Sequence, residues 1–217
     1  DVVYRDYDGI IWSEGAFAQA EYNKIENLST FLSLSLSRTS NERFDRFYYD
    51  KGQRKSSIES YWGYCVKGGA NYNINDNHNV FTNIGIISRA PFFSSGVFLQ
   101  STTSNMVNPG SINEKAISFE TGYGFHSQYL TANLNVYYTL WQNKTMVRSS
   151  TLQDGTVLQV NIEGLDALHK GIELDFNSKP IRNLDITGML SLGDWRWNSN
   201  GVGSVYTAQG AAWDAKN

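Results

Sequence analysis

One cysteine, three prolines, three histidines and almost no excess of either charge mark what this 217-residue chain has least of. Cys65 alone cannot form an internal disulfide or a multi-cysteine metal cluster, and the role expected for it is a small half-buried strand residue. The net charge of −3 comes from interspersed residues and offers no basic footprint, so nucleic acid is not an expected partner. No stretch approaches the roughly 20 consecutive apolar residues of a membrane-spanning helix. Helical insertion is thereby excluded, but a transmembrane barrel is not, because barrel strands are only half apolar. The opening DVVYRDYDGIIW has neither the basic nor the apolar region of a signal peptide, so the sequence reads as mature, truncated or cytoplasmic. His78, His126 and His169 are more than forty residues apart, with no H-E-x-x-H spacing, and neither a nucleophile elbow nor a phosphate loop occurs. No metal site, cofactor or catalytic residue is assigned.

Aromatic residues and alternation are what the chain does have: six Trp, thirteen Tyr and eleven Phe, a strand-rich profile. In LTANLNVYYTLW, Leu130, Ala132, Leu134, Val136, Tyr138 and Leu140 oppose Thr131, Asn133, Asn135, Tyr137 and Thr139. A period of two gives one apolar and one polar face, over a longer run than the five or six residues typical of soluble strands. The pattern recurs in FLSLSLS, YWGYCVKGGANYNIN, AISFETGYGF, GIELDFN and NLDITGMLSL. NVFTNIGIISR is less tidy, with Phe81 and Ile87 on the polar side. Nine strands are expected near residues 10–22, 28–38, 59–74, 79–89, 115–126, 129–142, 168–178, 183–194 and 204–213.

Short polar turns near Asn23–Asn27, Asn75–His78, His126–Gln128 and Ser178–Asn183 alternate with long connections at Arg38–Ser57, Arg89–Glu114, Gln142–Asp166 and after Asp194. A meander connected in this way has its tight turns at one end and its long loops at the other, as outer-membrane barrels do. Aromatics of apolar parity fall at two levels. Trp12, Trp62, Tyr64 and Tyr138 lie toward the long loops, and Tyr22, Tyr72, Phe125 and Phe176 toward the short turns. The ten steps from Trp62 to Tyr72, at about 3.3 Å each and about 40° of tilt, rise roughly 25 Å, the height of a barrel's apolar band. These eight residues are therefore expected to form interfacial girdles. A soluble sandwich would have shorter strands and no alternation of loop length. The expected fold is all-β, an antiparallel up-and-down transmembrane barrel. Bacterial barrels close on an even strand number, so nine strands suggest a piece of a larger barrel, with an eight-stranded closed barrel as the alternative.

Four stretches resemble TonB-dependent outer-membrane receptors: GAFAQAEYNKIENLSTFLSLSLSR, KGGANYNINDNHNVFTNIGIISRAPFF, NPGSINEKAISFETGYGF and NIEGLDALHKGIELDFNSKPIRNLDITGML. Arg89-Ala90-Pro91 matches the family's Arg-x-Pro-like step, and Glu114, Lys115, Glu120, Gly122 and Tyr123 match its strand start. Together the stretches cover roughly residues 15–192 and are most similar to receptors of Bacteroidetes-like bacteria. The resemblance implies a 22-stranded barrel in the bacterial outer membrane, of which this chain is a part. It also implies a plug domain, not matched here, through which the TonB complex drives uptake of a siderophore, cobalamin or oligosaccharide. The alternative is a small closed barrel acting as a passive porin or an adhesion or structural protein. Catalysis is not expected: Glu120, Glu173 and Asp175 have lumen parity but no nucleophile–base pair accompanies them.

Binding has better support in the sequence. The first long loop is expected to hold Arg43, Phe44, Asp45, Arg46, Phe47, Tyr48 and Tyr49, and the second opens with Pro91, Phe92 and Phe93. Aromatics beside charges at an outer mouth can stack on a planar or sugar-like small molecule and pair with its acidic groups. Arg43, Arg46, Tyr48, Tyr49, Phe92 and Phe93 are the candidate ligand-binding residues, with Arg46, Tyr48 and Phe92 placed foremost.

Overall fold

The computed structural model describes residues 6–46, 49–99, 107–153, 155 and 157–205. They form β1 (Tyr7–Ile25), β2 (Leu28–Asp45), β3 (Glu59–Asn75), β4 (His78–Arg89), β5 (Glu114–His126), β6 (Leu130–Thr151), β7 (Val157–Ile181), β8 (Leu184–Trp197) and β9 (Val202–Val205). From β1 to β8 each strand pairs antiparallel with the next, and β9 pairs with β7. Among the described residues β1 pairs only with β2 and β8 only with β7, so these strands do not close as a barrel of eight.

The two faces follow directly from register. Ala18, Leu34, Val66, Ile86, Ile117, Leu140 and Leu168 are successive cross-strand partners and make one aliphatic row. One residue along each strand, Gln19, Ser33, Lys67, Gly85, Ser118, Thr139 and His169 make a polar row. Side chains alternate across a sheet, so the two rows point to opposite faces, and a slip of one residue would exchange them. Leu34 and Val66 remain 45% and 38% exposed, and among the described residues no second layer covers the aliphatic face, Leu168 alone of this row being buried. So wide an apolar surface suits lipid rather than water.

Two residues join β1 to β2, β3 to β4 and β7 to β8, and three join β5 to β6. At the first turn Asn27 takes φ 63°, a left-handed conformation that asparagine accepts more readily than most residues. The connections at the opposite end include residues 46–58 and 90–113. All six buried hydrophobic residues, Val97, Phe98, Leu99, Leu165, Ala167 and Leu168, lie toward that end, among the described residues. The packed core thus sits at the mouth rather than between two layers.

Three expectations change. Residues 142–166 are not a long loop: β6 and β7 run on as a hairpin from Lys144↔Leu165 to Thr151↔Val157. Irregularities between Trp141, Lys144 and Met146 shift the register, and Asn143 (φ 59°) and Gly164 (φ 68°) take left-handed conformations there. This breaks the simple period of two that the sequence was read by. Arg43, Phe44 and Asp45 belong to β2, paired with Gly9, Asp8 and Tyr7, rather than to a loop. The last strand is Val202–Val205 and folds back on Val160–Glu163 of β7 instead of continuing the meander beyond β8. Residues 206–213 of the expected strand lie outside the described residues.

The untidy parity of β4 has a steric explanation. Phe81 projects to the polar face and lies over Gly122 of β5, its Cε1 2.5 Å from where a glycine Cβ would stand. Phe31 lies over Gly69 in the same way at 2.6 Å, and Gly69 is further confined by Asn83 and by the Thr82 carbonyl at 3.0 Å. Aromatic rings laid on strand glycines cover the backbone that the glycine leaves bare. Gly69→Ala is expected to cost about 1–3 kcal/mol through overpacking, measured by urea unfolding of the full-length protein in lipid vesicles. Gly52→Ala, where nothing approaches within 4 Å, should be near neutral.

Candidate functional site at the long-loop mouth

The described parts of the connection from β4 to β5, residues 90–99 and 107–113, fold into a small body of their own. Val97, Phe98 and Leu99 are 0–1% exposed, and Phe93 packs on Phe98 with ring centroids 4.9 Å apart. Val97 N donates to the Phe92 carbonyl (2.8 Å), Phe98 N to that of Phe93 (3.0 Å) and Asn108 N to that of Val97 (2.8 Å). Several contacts dock this body on the wall. Asn113 Nδ2 donates to the Trp62 carbonyl (2.6 Å) and to Ser88 Oγ (2.9 Å), and Tyr61 and Ser111 share a hydroxyl hydrogen bond of 2.6 Å. Phe93 covers Gly9 of β1, where a Cβ would stand 2.9 Å from its ring. Gly9, Tyr61 and Arg89 share the polar, lumen-side parity of their strands, so the connection lines the inside of the mouth.

An ion pair closes its base. Arg89, the last residue of β4, donates from Nη2 (2.6 Å) and Nε (3.0 Å) to Oε2 of Glu114, the first residue of β5. Glu114 is 1% exposed, whereas the Arg89 side chain is 42% exposed. The guanidinium also lies 4.3 Å from the Phe92 ring centroid and 5.5 Å from that of Trp141, and Lys144 Nζ stands 3.6 Å over Trp141. Phe92, Arg89, Trp141 and Lys144 therefore form a run of alternating rings and cations, with Phe92 itself exposed. Such a run suits an anionic ligand with a flat or sugar-like face.

The residues expected from the sequence divide between framework and surface. Arg43 is buried, 4.0 Å over the Tyr7 ring and 3.7 Å from Asp45. Arg46 is exposed and ion-paired with Asp8 and, at 3.2 Å, with Asp6; the hydrogen bonds it donates, to Asp8 first and then to Asp6, hold its guanidinium above the usual arginine range. Tyr49 is half-buried and its carbonyl accepts from Arg54 Nε (3.2 Å). Phe92 is exposed, whereas Phe93 packs on Phe98. Tyr48 lies outside the described residues. The mouth thus holds two clusters: Arg46 with Asp6 and Asp8 at the β1–β2 corner, and Phe92 with Arg89 over β4–β6.

Trp141 and Lys144 were not singled out in the sequence. The available signal was parity, since Trp141 stands on the polar side of an otherwise regular strand. Lys144 follows the register break, which hides its direction. On the aliphatic face, Trp12, Trp62, Tyr64 and Tyr138 stand toward the mouth and Tyr22, Tyr72 and Phe176 toward the short turns, all exposed. Phe125, half-buried, packs against His78 at 5.0 Å. On the polar face Glu173 accepts from Ser191 Oγ (3.3 Å) and Asp175 from Asn133 Nδ2 (3.2 Å). No group of three or more potential metal ligands occurs among the described residues.

Residues 2–217 match the family model described as TonB dependent receptor-like, beta-barrel. The chain belongs to the TonB-dependent receptor β-barrel family. Its fold is similar to that of the copper transporter OprC, with a TM-score of 0.69 and 17% identity over 88% of this chain. It is also similar to the ferric-catecholate import receptor Fiu from E. coli K12, in its closed form, with a TM-score of 0.64 and 15% identity over 90% of this chain. The match covers 30% of the OprC chain and 29% of the Fiu chain, so this TonB-dependent receptor segment spans less than a third of either. No curated protein matches the chain.

Proposed function

We propose that this segment is part of the wall and outer mouth of a bacterial outer-membrane receptor that takes up a scarce nutrient with energy delivered by TonB. The observation that carries the reading is the arrangement of the sheet. One face is aliphatic and open to lipid, the other is polar, and the long connections gather at one end around a folded, cation- and ring-lined mouth. A plug domain elsewhere in the protein would seat against the polar face, where Gln19, Lys67 and Thr139 stand, and transmit the pull of TonB. The ligand would be a small molecule or oligosaccharide with acidic groups, siderophores and cobalamin among the candidates. Phe92, Arg46 and Tyr48 would meet it, held by the packed base of Arg43, Tyr49 and Phe93.

Deleting the encoding gene tests the reading. The solutes left unconsumed in the medium should be among those left by a strain without TonB; their uptake in the TonB-deficient strain at the parental rate would point instead to a passive porin. Once such a solute is known, Phe92→Ala in the full-length receptor should weaken its binding about five- to thirtyfold, from the loss of roughly 1–2 kcal/mol of ring contact. Isothermal titration would measure it, with Tyr22→Ala at the far end as an unchanged control.

A further inference from the structure

A pocket of about 530 Å³ lies on the polar face across β1 to β4, well below the mouth. It sits toward the short turns: Glu21 stands four residues before the end of β1, Asn71 four before the end of β3 and Phe81 three after the start of β4. Register brings its lining together. Glu21 pairs with Phe31, Phe31 with Gly69, Gly69 with Asn83 and Asn71 with Phe81, all with the polar-face parity of Gln19 and Lys67.

The floor of the pocket is aromatic. Phe31 and Phe81 lie on Gly69 and Gly122, and both rings are half-buried, one face on the backbone and the other toward the pocket. Its sides are amides, two of them oriented by neighbours. Asn71 Oδ1 accepts from Asn79 Nδ2 (2.7 Å) and Asn71 Nδ2 donates to Asn73 Oδ1 (2.9 Å), while Gln19 Nε2 donates to Glu21 Oε1 (2.9 Å). An amide has two N–H donors and two acceptor lone pairs, so each keeps capacity of both kinds for a ligand. Among the described residues neither lysine nor arginine lines the pocket, and Glu21 is its one charged group.

This lining differs in kind from the cations and rings of the mouth. An acidic group here would meet Glu21 with no cation to offset it, and a wholly apolar ligand would leave the amides without partners. A neutral sugar suits both parts: its C–H face covers a ring, and its hydroxyls donate to and accept from amides and carboxylate. Deepening the uptake reading above, on which it rests, we propose that the pocket holds a neutral sugar unit of an oligosaccharide on its way from the mouth to the short-turn side. The sugar stacks on Phe31 and Phe81, and its hydroxyls bond to Gln19, Asn71, Asn83 and Glu21. The imported solute is then a saccharide rather than a siderophore or cobalamin. Any acidic group it carries is met at the mouth, and its neutral units are met on this wall.

The test supplies neutral oligosaccharides of glucose, galactose, mannose and xylose to the parental strain, to one lacking the gene and to one lacking TonB. At least one of them should be consumed by the parent and by neither mutant. For that sugar, Asn83→Ala and Phe81→Leu in the full-length receptor should each slow initial uptake about fivefold at low concentration. Both variants should keep the heat-dependent shift in gel mobility and the parental level of sugar bound to cells without TonB, and Thr187→Ala on the polar face of β8 should change nothing. The proposal is overturned if the deletion leaves consumption of all these sugars unchanged, or if both pocket variants transport at the parental rate. It is equally overturned if those variants admit a large antibiotic to cells without TonB, since the pocket would then serve to seat a plug. A sugar lost with the gene but still consumed without TonB would instead overturn the uptake reading beneath it.

Discussion

Leu34→Arg, at the middle of the aliphatic row, should prevent the full-length receptor from reaching its folded form or destabilise it by about 2–4 kcal/mol, whereas Ser35→Arg next to it should be tolerated. Leu34 lies between Ala18 and Val66 on the face open to lipid. Ser35 lies between Phe17 and Cys65 on the polar face. The substitutions add the same charged side chain one residue apart in the same strand, so the medium that each face meets is the main difference between them. An arginine near the bilayer midplane must give up hydration or thin the membrane around it, and on the polar face it does neither. Urea unfolding in lipid vesicles, followed by the heat-dependent gel shift, measures both. Equal tolerance of the two variants would mean that the aliphatic face does not meet lipid.

This expectation could be written down from the sequence because lipid exposure imposes a strict period of two. The stretch LSLSLS alone fixes which residues of β2 share a face, and register then carries the assignment to seven other strands. Turn chemistry was legible for the same local reason, as Glu26-Asn27 and Asp76-Asn77 join their strands in two residues. The mouth was not legible. Beyond Trp141 the register slips at a left-handed Asn143, so parity stops reporting direction and the projecting hairpin looked like loop. The packing of Arg43 on Tyr7, and of Phe93 over Gly9, depends on contacts between residues more than thirty apart in sequence. Composition drew attention to aromatics and arginines there, but whether each one packs or projects is set by the tertiary fold.

The same distinction makes Arg89→Ala the second large effect expected, and one that should appear in the mouth rather than in the membrane wall. Removing the guanidinium strips Glu114 Oε2 of both its hydrogen bonds, while Oε1 already has no partner in its buried setting. A buried carboxylate left without its cation typically costs about 3–5 kcal/mol; because Arg89 itself is partly exposed, about 2–3 kcal/mol is expected here. The loss falls where β4 and β5 leave the sheet, so residues 90–113 should loosen while the rows below them stay paired. Limited proteolysis of the full-length receptor should cut that connection faster, without loss of the heat-dependent gel shift. Adding Glu114→Gln removes the stranded charge and should recover most of the protection, since a neutral amide of the same shape costs far less to bury. Recovery would show that the connection is held by this ion pair; if Arg89→Ala alone left its cleavage rate unchanged, the hydrogen bonds of Asn113 and Asn108 would have to be what holds it.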